Sequence, residues 1–227
     1  MCENGNTRLH PRRFSSRYWL LTLLREQLTA IVNQHLTGRE NIVIIDYGCG
    51  TMPYRPIFEE KAAKYIGIDL SPQSKQTPIF GIASLPDCFA DVVLSTQVLE
   101  HVESPQEYLD ECRRVLKHDG LLILSTHGYW MYHPNPRDLW RWTGDGLRML
   151  LRNHALNVLQ FEGLMGLTAT GFQLVQDGMI EKMPNLAKPI FALFMQTLIR
   201  ICDAFESTLR KMEDACIFVA VAQKSPL

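Results

Sequence analysis

From Tyr18 to Leu36 the apolar residues Leu20, Leu24, Leu28, Ile31, Val32 and Leu36 recur at helical spacing, and Gly38 follows. The pattern predicts an amphipathic helix over about 18–37 with a glycine stop. Beyond it the period changes. IVIID (42–46), KYIGIDL (64–70), ADVVLS (90–95) and GLLILST (120–126) are continuous apolar runs, as strands buried on both faces require. SPQEYLDECRRVLK (104–117) opens with Ser104 as a candidate N-cap, Pro105 at the first helical position and Glu107 three residues past the cap. Its apolar stripe is Tyr108, Leu109, Cys112, Val115 and Leu116. Thr143 is placed to cap a helix over GDGLRMLLRNHA, NVLQFEGL (157–164) reads as a strand, 186–211 as one long helix, and CIFVAVAQK (216–224) as a closing strand.

Strands alternating with helices predict a doubly wound α/β fold with a mostly parallel sheet. No repeat or boundary divides the 227 residues, so one domain is expected over 1–227, with a helical insertion or cap at about 165–212 before the last strand. The helix around 186–204 carries Ile190, Phe191, Leu193, Phe194, Leu198, Ile199 and Ile201, interrupted by Lys188, Gln196 and Arg200. A core or lid helix is the favoured reading, with a dimer or substrate cap and a membrane-surface helix as alternatives.

Composition narrows the partners. The net charge of −1 lacks the basic excess of a protein built to hold a nucleic-acid backbone, although residues 8–17 carry clustered arginines and no acid. Cysteines 2, 49, 88, 112, 202 and 216 form neither a CxxC pair nor a Cys/His cluster, so neither metal site nor disulfide framework is expected. The N-terminus has no secretory h-region and no 18-residue apolar run occurs, so a cytoplasmic protein without stable membrane insertion is expected.

The chemistry begins at IVIIDYGCGTMPY. In a doubly wound sheet, ligands sit at the carboxyl ends of the strands. Gly48 and Gly50 let the main chain turn tightly and approach a ligand without a Cβ between them. A dinucleotide loop would put its third glycine at position 53, where Pro53 stands, and Pro56 delays any helix. Asp46, just before the turn, has no reason to face a pyrophosphate and suits a ligand with a cationic amino group.

Asp46-Tyr-Gly-Cys-Gly50, Gly67-Ile-Asp69, Leu85-Pro86, Asp91-Val-Val-Leu-Ser95, Val98-Leu-Glu-His-Val102 and Leu116-Lys-His-Asp-Gly-Leu-Leu122 follow in order over roughly 40–127. In this set of blocks the chain resembles the class I S-adenosylmethionine-dependent methyltransferases, specifically the LEHV-containing group. The resemblance implies a seven-stranded Rossmann-like sheet with an antiparallel closing strand and S-adenosylmethionine as cofactor. It implies that Gly48 and Gly50 line the methionine moiety, that Asp46 shapes the loop and meets the amino group, and that Asp69 takes the ribose hydroxyls. Leu70, Ile82, Ala83 and Gln97 complete the implied cofactor set. Met52 stands where many relatives have a glycine, and Ile82 where they carry an acid for the adenine amino group. Adenine is therefore expected against backbone near Ala83 and the side chains of Ile82 and Leu85.

HGYWMYHPNPRDLWRWT (127–143) follows a strand's carboxyl end and should overhang the methyl donor, so Tyr129, Tyr132, Arg137, Trp140 and Arg141 are candidate acceptor contacts. Arg137 and Arg141 suit an anionic group. A hydroxyl acceptor needs a base within reach, for which His133 is the first candidate and His101 the second, with His127 and Asp138 as further candidates. Similar methyltransferases with a WRWT-like loop are associated with cell-surface polysaccharide assembly, which implies a small-molecule or saccharide acceptor. The rival readings are a non-catalytic nucleoside binder and, less favoured, a nucleic-acid methyltransferase. A homodimer is left open.

Overall fold

The computed structural model describes residues 5–69, 84–134 and 137–225. Among these, six strands form one sheet: β1 (Ile42–Tyr47), β2 (Ala62–Ile68), β3 (Ala90–Thr96), β4 (Leu116–His127), β5 (Leu156–Gly166) and β6 (Ala215–Lys224). Their order is β2–β1–β3–β4–β6–β5. β1 lies parallel to β2 and β3, and β3 parallel to β4, whereas β6 runs antiparallel to both β4 and β5. The seventh strand implied by the resemblance would precede residue 82, outside the described residues. The chain leaves β1 on one side for β2 and returns on the other for β3, so strand order reverses beside β1 and opens a crevice at its carboxyl end.

Helices cover both faces. After the short α1 (Gly5–Leu9), the stripe of α2 (Tyr18–His35) is buried from Leu20 to Val32 and packs, with Leu36 after it, on Ile44 of β1, Val92 of β3 and Val219 and Val221 of β6. Ile199 of α7 (Lys188–Phe205) joins that layer. On the opposite face Leu109 and Cys112 of α4 (Pro105–Val115) and Leu147 and Leu151 of α5 (Gly144–Asn153) meet Ile45, Val93, Leu122 and Ala220. Each fully buried leucine contributes about 1.5–3 kcal/mol. Ser104 and Thr143 cap α4 and α5 through their hydroxyls, as their sequence positions predict.

Two boundaries differ from the sequence reading. The helix expected over 104–117 stops at Val115, because Leu116 is extended and already pairs with Ala90 as the first residue of β4. The helix expected over 186–211 breaks into α7 and α8 (Thr208–Glu213), with Ser207 as the new N-cap. The break turns the Glu206 carboxylate onto the start of α6 (Leu167–Ile180), where it accepts a 2.6 Å hydrogen bond from the Thr168 amide.

The inward face of α7 is also not its most apolar one. Ala192, Met195, Gln196, Ile199 and Asp203 are buried, while Ile190, Leu193, Phe194 and Ile201 are exposed. Polar contacts decide the orientation. Gln196 donates to the Ser16 carbonyl at 2.8 Å and accepts from the Trp19 amide at 2.7 Å, and Asp203 accepts from Trp19 Nε1, the Gly166 amide and Lys211. Among the described residues, no helix is long and apolar enough to cross a membrane.

Candidate active site

β1 delivers Asp46 and Tyr47 to the crevice, and the chain then reverses through two left-handed glycines, Gly48 (φ 78°) and Gly50 (φ 51°). Their duties differ. A Cβ on Gly48 would lie 2.4 Å from a methyl of Val98, whereas one on Gly50 would meet nothing within 4 Å. Gly48 thus permits close packing, and Gly50 faces open space. Met52 keeps the left-handed conformation (φ 53°) that a glycine would take there, and its thioether lies over Gly67 of β2, where a Cβ would come within 2.8 Å of the sulfur. The helix that follows, α3 (Arg55–Phe58), is only four residues long with Pro56 in its first turn, the irregular onset the two prolines predict. Asp69, just past β2, accepts a 2.7 Å hydrogen bond from the Gly50 amide, so carboxylate and glycine turn share one place.

Two buried acceptor atoms near the carboxyl ends of β1 and β3 have no hydrogen-bond partner among the described residues: Asp46 Oδ1 and Gln97 Oε1. Asp46 Oδ2 accepts from the Tyr65 hydroxyl at 2.7 Å, and burial pushes the Asp46 pKa up to about 7. Gln97 sits at φ 57° after β3, its amide nitrogen 3.1 Å from Ser125 Oγ. An orphaned carboxyl oxygen on Asp46 fits the ammonium of an amino-acid moiety, the open turn at Gly50 leaves room for the rest of it, and Asp69 fits a diol. Leu70, Ile82 and Ala83 lie outside the described residues.

Past Gln97 the chain places Glu100 and His101 beside the end of β4. Glu100 is fully buried, and burial pushes its pKa up to about 7. Thr126 donates to its Oε2 at 2.9 Å, while Oε1 lies 3.5 Å from His127 Nε2 and 4.0 Å from His101 Nε2, with no hydrogen bond of its own. His127 is buried, stacked on Trp130, and held far below the usual histidine range, first by burial and then by neighbouring positive groups. His133 stands edge-on to both His127 and His101, with ring centres 4.8 Å and 5.0 Å away. Its pKa is lowered, chiefly by burial. His101 Nδ1 donates to the Arg137 carbonyl, which fixes the ring's orientation and leaves Nε2 as the nitrogen on the Glu100 side. Of this group the sequence flagged the three histidines. Glu100 has no role in the sequence reading, and its one signal is an acid within the mostly apolar stretch 98–102 shortly after a buried strand.

The substrate candidates separate. The Arg141 guanidinium is spent internally, on both oxygens of Asp138 at 2.6 and 2.7 Å and on the carbonyls of Trp130, Met131 and Trp140. This clamp holds the Asp138 carboxyl well below the usual range and engages inside the loop the guanidinium that the sequence offers to an anionic acceptor. Arg137 pairs with Glu103 on the surface, and Tyr132 is 74% exposed. Trp140 donates to the Val102 carbonyl and stacks on Trp142, while the Tyr129 hydroxyl donates to Asp214. Tyr129 and Arg141 line a cleft of ≈ 180 Å³ with Gly128, Trp130, Trp142, Thr143 and Glu213.

A family model described as a methyltransferase domain matches residues 20–176, a span that includes the glycine turn, Asp69, the Glu100 cluster and the whole 127–143 loop. The chain belongs to this family. It is a class I S-adenosylmethionine-dependent methyltransferase domain, and the features of the crevice fit that cofactor. A ubiquinone biosynthesis O-methyltransferase from Cereibacter sphaeroides is 29% identical over 126 residues, 47% of this chain and 51% of that protein. A tRNA U34 carboxymethyltransferase from Aeromonas salmonicida is 33% identical over 40% of this chain and 34% of its own length. The chain thus spans about half, or less, of these curated relatives. Among solved structures, the [4+2]-cyclase SpnF superposes with a TM-score of 0.59 at 18% identity, covering 88% of this chain and 81% of that one. The 1,6-didemethyltoxoflavin-N1-methyltransferase of Burkholderia thailandensis, solved with S-adenosylhomocysteine, gives 0.56 at 16% identity over 88% and 77%. Identities this low speak for the fold.

Proposed function

We propose that the protein transfers the methyl group of S-adenosylmethionine to a hydroxyl of a small-molecule or saccharide acceptor bound beneath the 127–143 loop. The observation that carries this reading is the group of three imidazoles and a buried carboxyl at the carboxyl ends of β3 and β4, beside the glycine turn. The sulfonium donor is already activated, so an amine acceptor would ask only for positioning, whereas a hydroxyl must also lose a proton. His101 is the group to take it, because its Nδ1 is engaged by the Arg137 carbonyl and its Nε2 is left on the side of Glu100 and the other histidines. As the acceptor oxygen attacks, the O–CH3 bond forms, the S–CH3 bond breaks and the proton passes to His101 Nε2, leaving S-adenosylhomocysteine. His133 and His127 wall the recess, Trp140 and Tyr129 contact the acceptor, and Asp46, Gly48, Gly50, Asp69 and Gln97 hold the donor. The O-methyltransferase relative supports an oxygen acceptor.

A screen of hydroxyl-bearing acceptors, free sugars and nucleotide-linked sugars included, with methyl-labelled donor tests the reading. Label should enter a base-stable ether, and His101→Asn should reduce turnover at least tenfold with donor affinity unchanged. Label appearing only on nitrogen, or full turnover in His101→Asn, would overturn it. The tRNA-modifying relative gives the second reading its one supporting observation, and labelled tRNA in the same screen would favour it.

A further inference from the structure

The Glu100 group has a property that proton transfer alone does not use. Its ligand-capable atoms converge: one atom each from Glu100, His127 and His133 lie within 4.8 Å of one another, and so do one each from His101, His133 and Asp138. We propose that Glu100, His127 and His133 form a binding site for a divalent transition-metal ion. Two ligands held about 2.0–2.2 Å from one ion at the tetrahedral angle lie roughly 3.3–3.6 Å apart, and Glu100 Oε1 and His127 Nε2 stand at 3.5 Å. Oε1 is fully buried and has no hydrogen bond, so the site already contains a desolvated carboxyl oxygen that nothing in the described residues satisfies.

The outer contacts match what metal ligands need. Thr126 anchors the other oxygen of Glu100 at 2.9 Å and so aims Oε1 at the imidazoles. Asp138, itself gripped by Arg141, lies 3.4 Å from His133 Nδ1, the carboxylate–imidazole pairing that orients a metal-binding histidine. Two imidazoles and one carboxylate, with no thiolate, suit a borderline ion such as zinc, iron(II), cobalt or nickel, and they leave coordination positions open. An acceptor hydroxyl taking one of these would be easier to deprotonate, with His101 beside it as proton acceptor. That role rests on the function proposed above, whereas ion uptake rests on the ligands alone.

The test strips the purified full chain with chelator and titrates it with Co2+, reading visible d–d absorption and metal content after gel filtration. One Co2+ per chain should bind with a dissociation constant in the micromolar range or below. His133→Ala and the isosteric Glu100→Gln should each weaken binding at least tenfold, with circular dichroism confirming that both fold. No stoichiometric uptake, or uptake unchanged in both variants, would overturn the site. S-adenosylhomocysteine binding is measured in parallel on stripped protein. If it persists while Co2+ fails, only the metal site falls; if Co2+ binds and the nucleoside does not, only the donor site does.

Discussion

The two halves of the crevice, the one we propose for the donor and the one we propose for the acceptor, are built from different materials. The donor half, from Asp46 to Asp69, is a backbone device: left-handed positions at 48, 50 and 52, a missing Cβ packed against Val98, and an amide held by a carboxylate. The acceptor half is a side-chain device, in which Glu100, His101, His127, His133 and Asp138 orient one another and Arg141 clamps the loop over them. A backbone device fails sterically and all at once. A side-chain device fails by degrees, because each partner can be replaced and the rest re-form. Substitutions in the two halves should therefore differ in the size of their effects and in whether they touch donor or acceptor.

The largest effect belongs to Gly48. Gly48→Ala puts a Cβ into Val98 at a backbone angle that side chains avoid, costing about 2–4 kcal/mol of unfolding free energy and abolishing donor binding in calorimetry. Adding Val98→Ala should recover the steric part and leave the conformational part. Full donor affinity in Gly48→Ala alone would contradict the backbone account.

Asp69→Ala comes next. Loss of a charge-assisted hydrogen bond of about 1.5–3 kcal/mol should weaken S-adenosylhomocysteine roughly ten- to hundredfold, and an unchanged dissociation constant would remove Asp69 from the ribose.

Asp46 supplies a pH signature. Its folded pKa of about 7 lies above the ordinary carboxyl value, so the fold favours the neutral acid. The resulting stability is fully present below the ordinary value and is lost as pH rises through about 7. A bound ammonium reverses that preference, so binding below pH 7 expels a proton. Donor affinity should rise with pH between 5.5 and 7, by at most about tenfold per unit. Asp46→Asn should flatten this slope, weaken binding and stabilise the unliganded protein at pH 8. A slope that survives in the variant would reassign the titrating group.

The smallest effect is Arg141→Ala. Unclamping Asp138 should cost about 1–2 kcal/mol and raise KM for the acceptor, with donor affinity held within twofold. Donor binding that collapses here would erase the distinction between the halves.

The same contrast explains what the sequence made legible. Asp46, Gly48 and Gly50 span five residues, and Asp69 is one βαβ step away, so the donor half follows from local pattern. The acceptor half depends on register. Thr96 pairs with Ser125, and only then do Glu100, four residues past one, and His127, two residues past the other, become neighbours. No spacing rule along the chain announces that meeting, and a search for ligands by cysteine and histidine proximity passes over it. The helix near 190 was illegible for a different reason. It is apolar nearly all round, and buried Gln196 and Asp203 choose its inward face, against the expectation that polar residues turn to water. The break before α8 likewise depends on Glu206 reaching a helix start 38 residues away.

The most direct measurement is a crystal structure of the protein with S-adenosylhomocysteine. The account predicts main chain at Gly48 and Gly50 against the homocysteine, Asp69 on both ribose hydroxyls, and the sulfur facing the recess walled by His101, His127 and His133. A nucleoside bound away from the Gly48 turn, or a sulfur turned from the histidines, would contradict it.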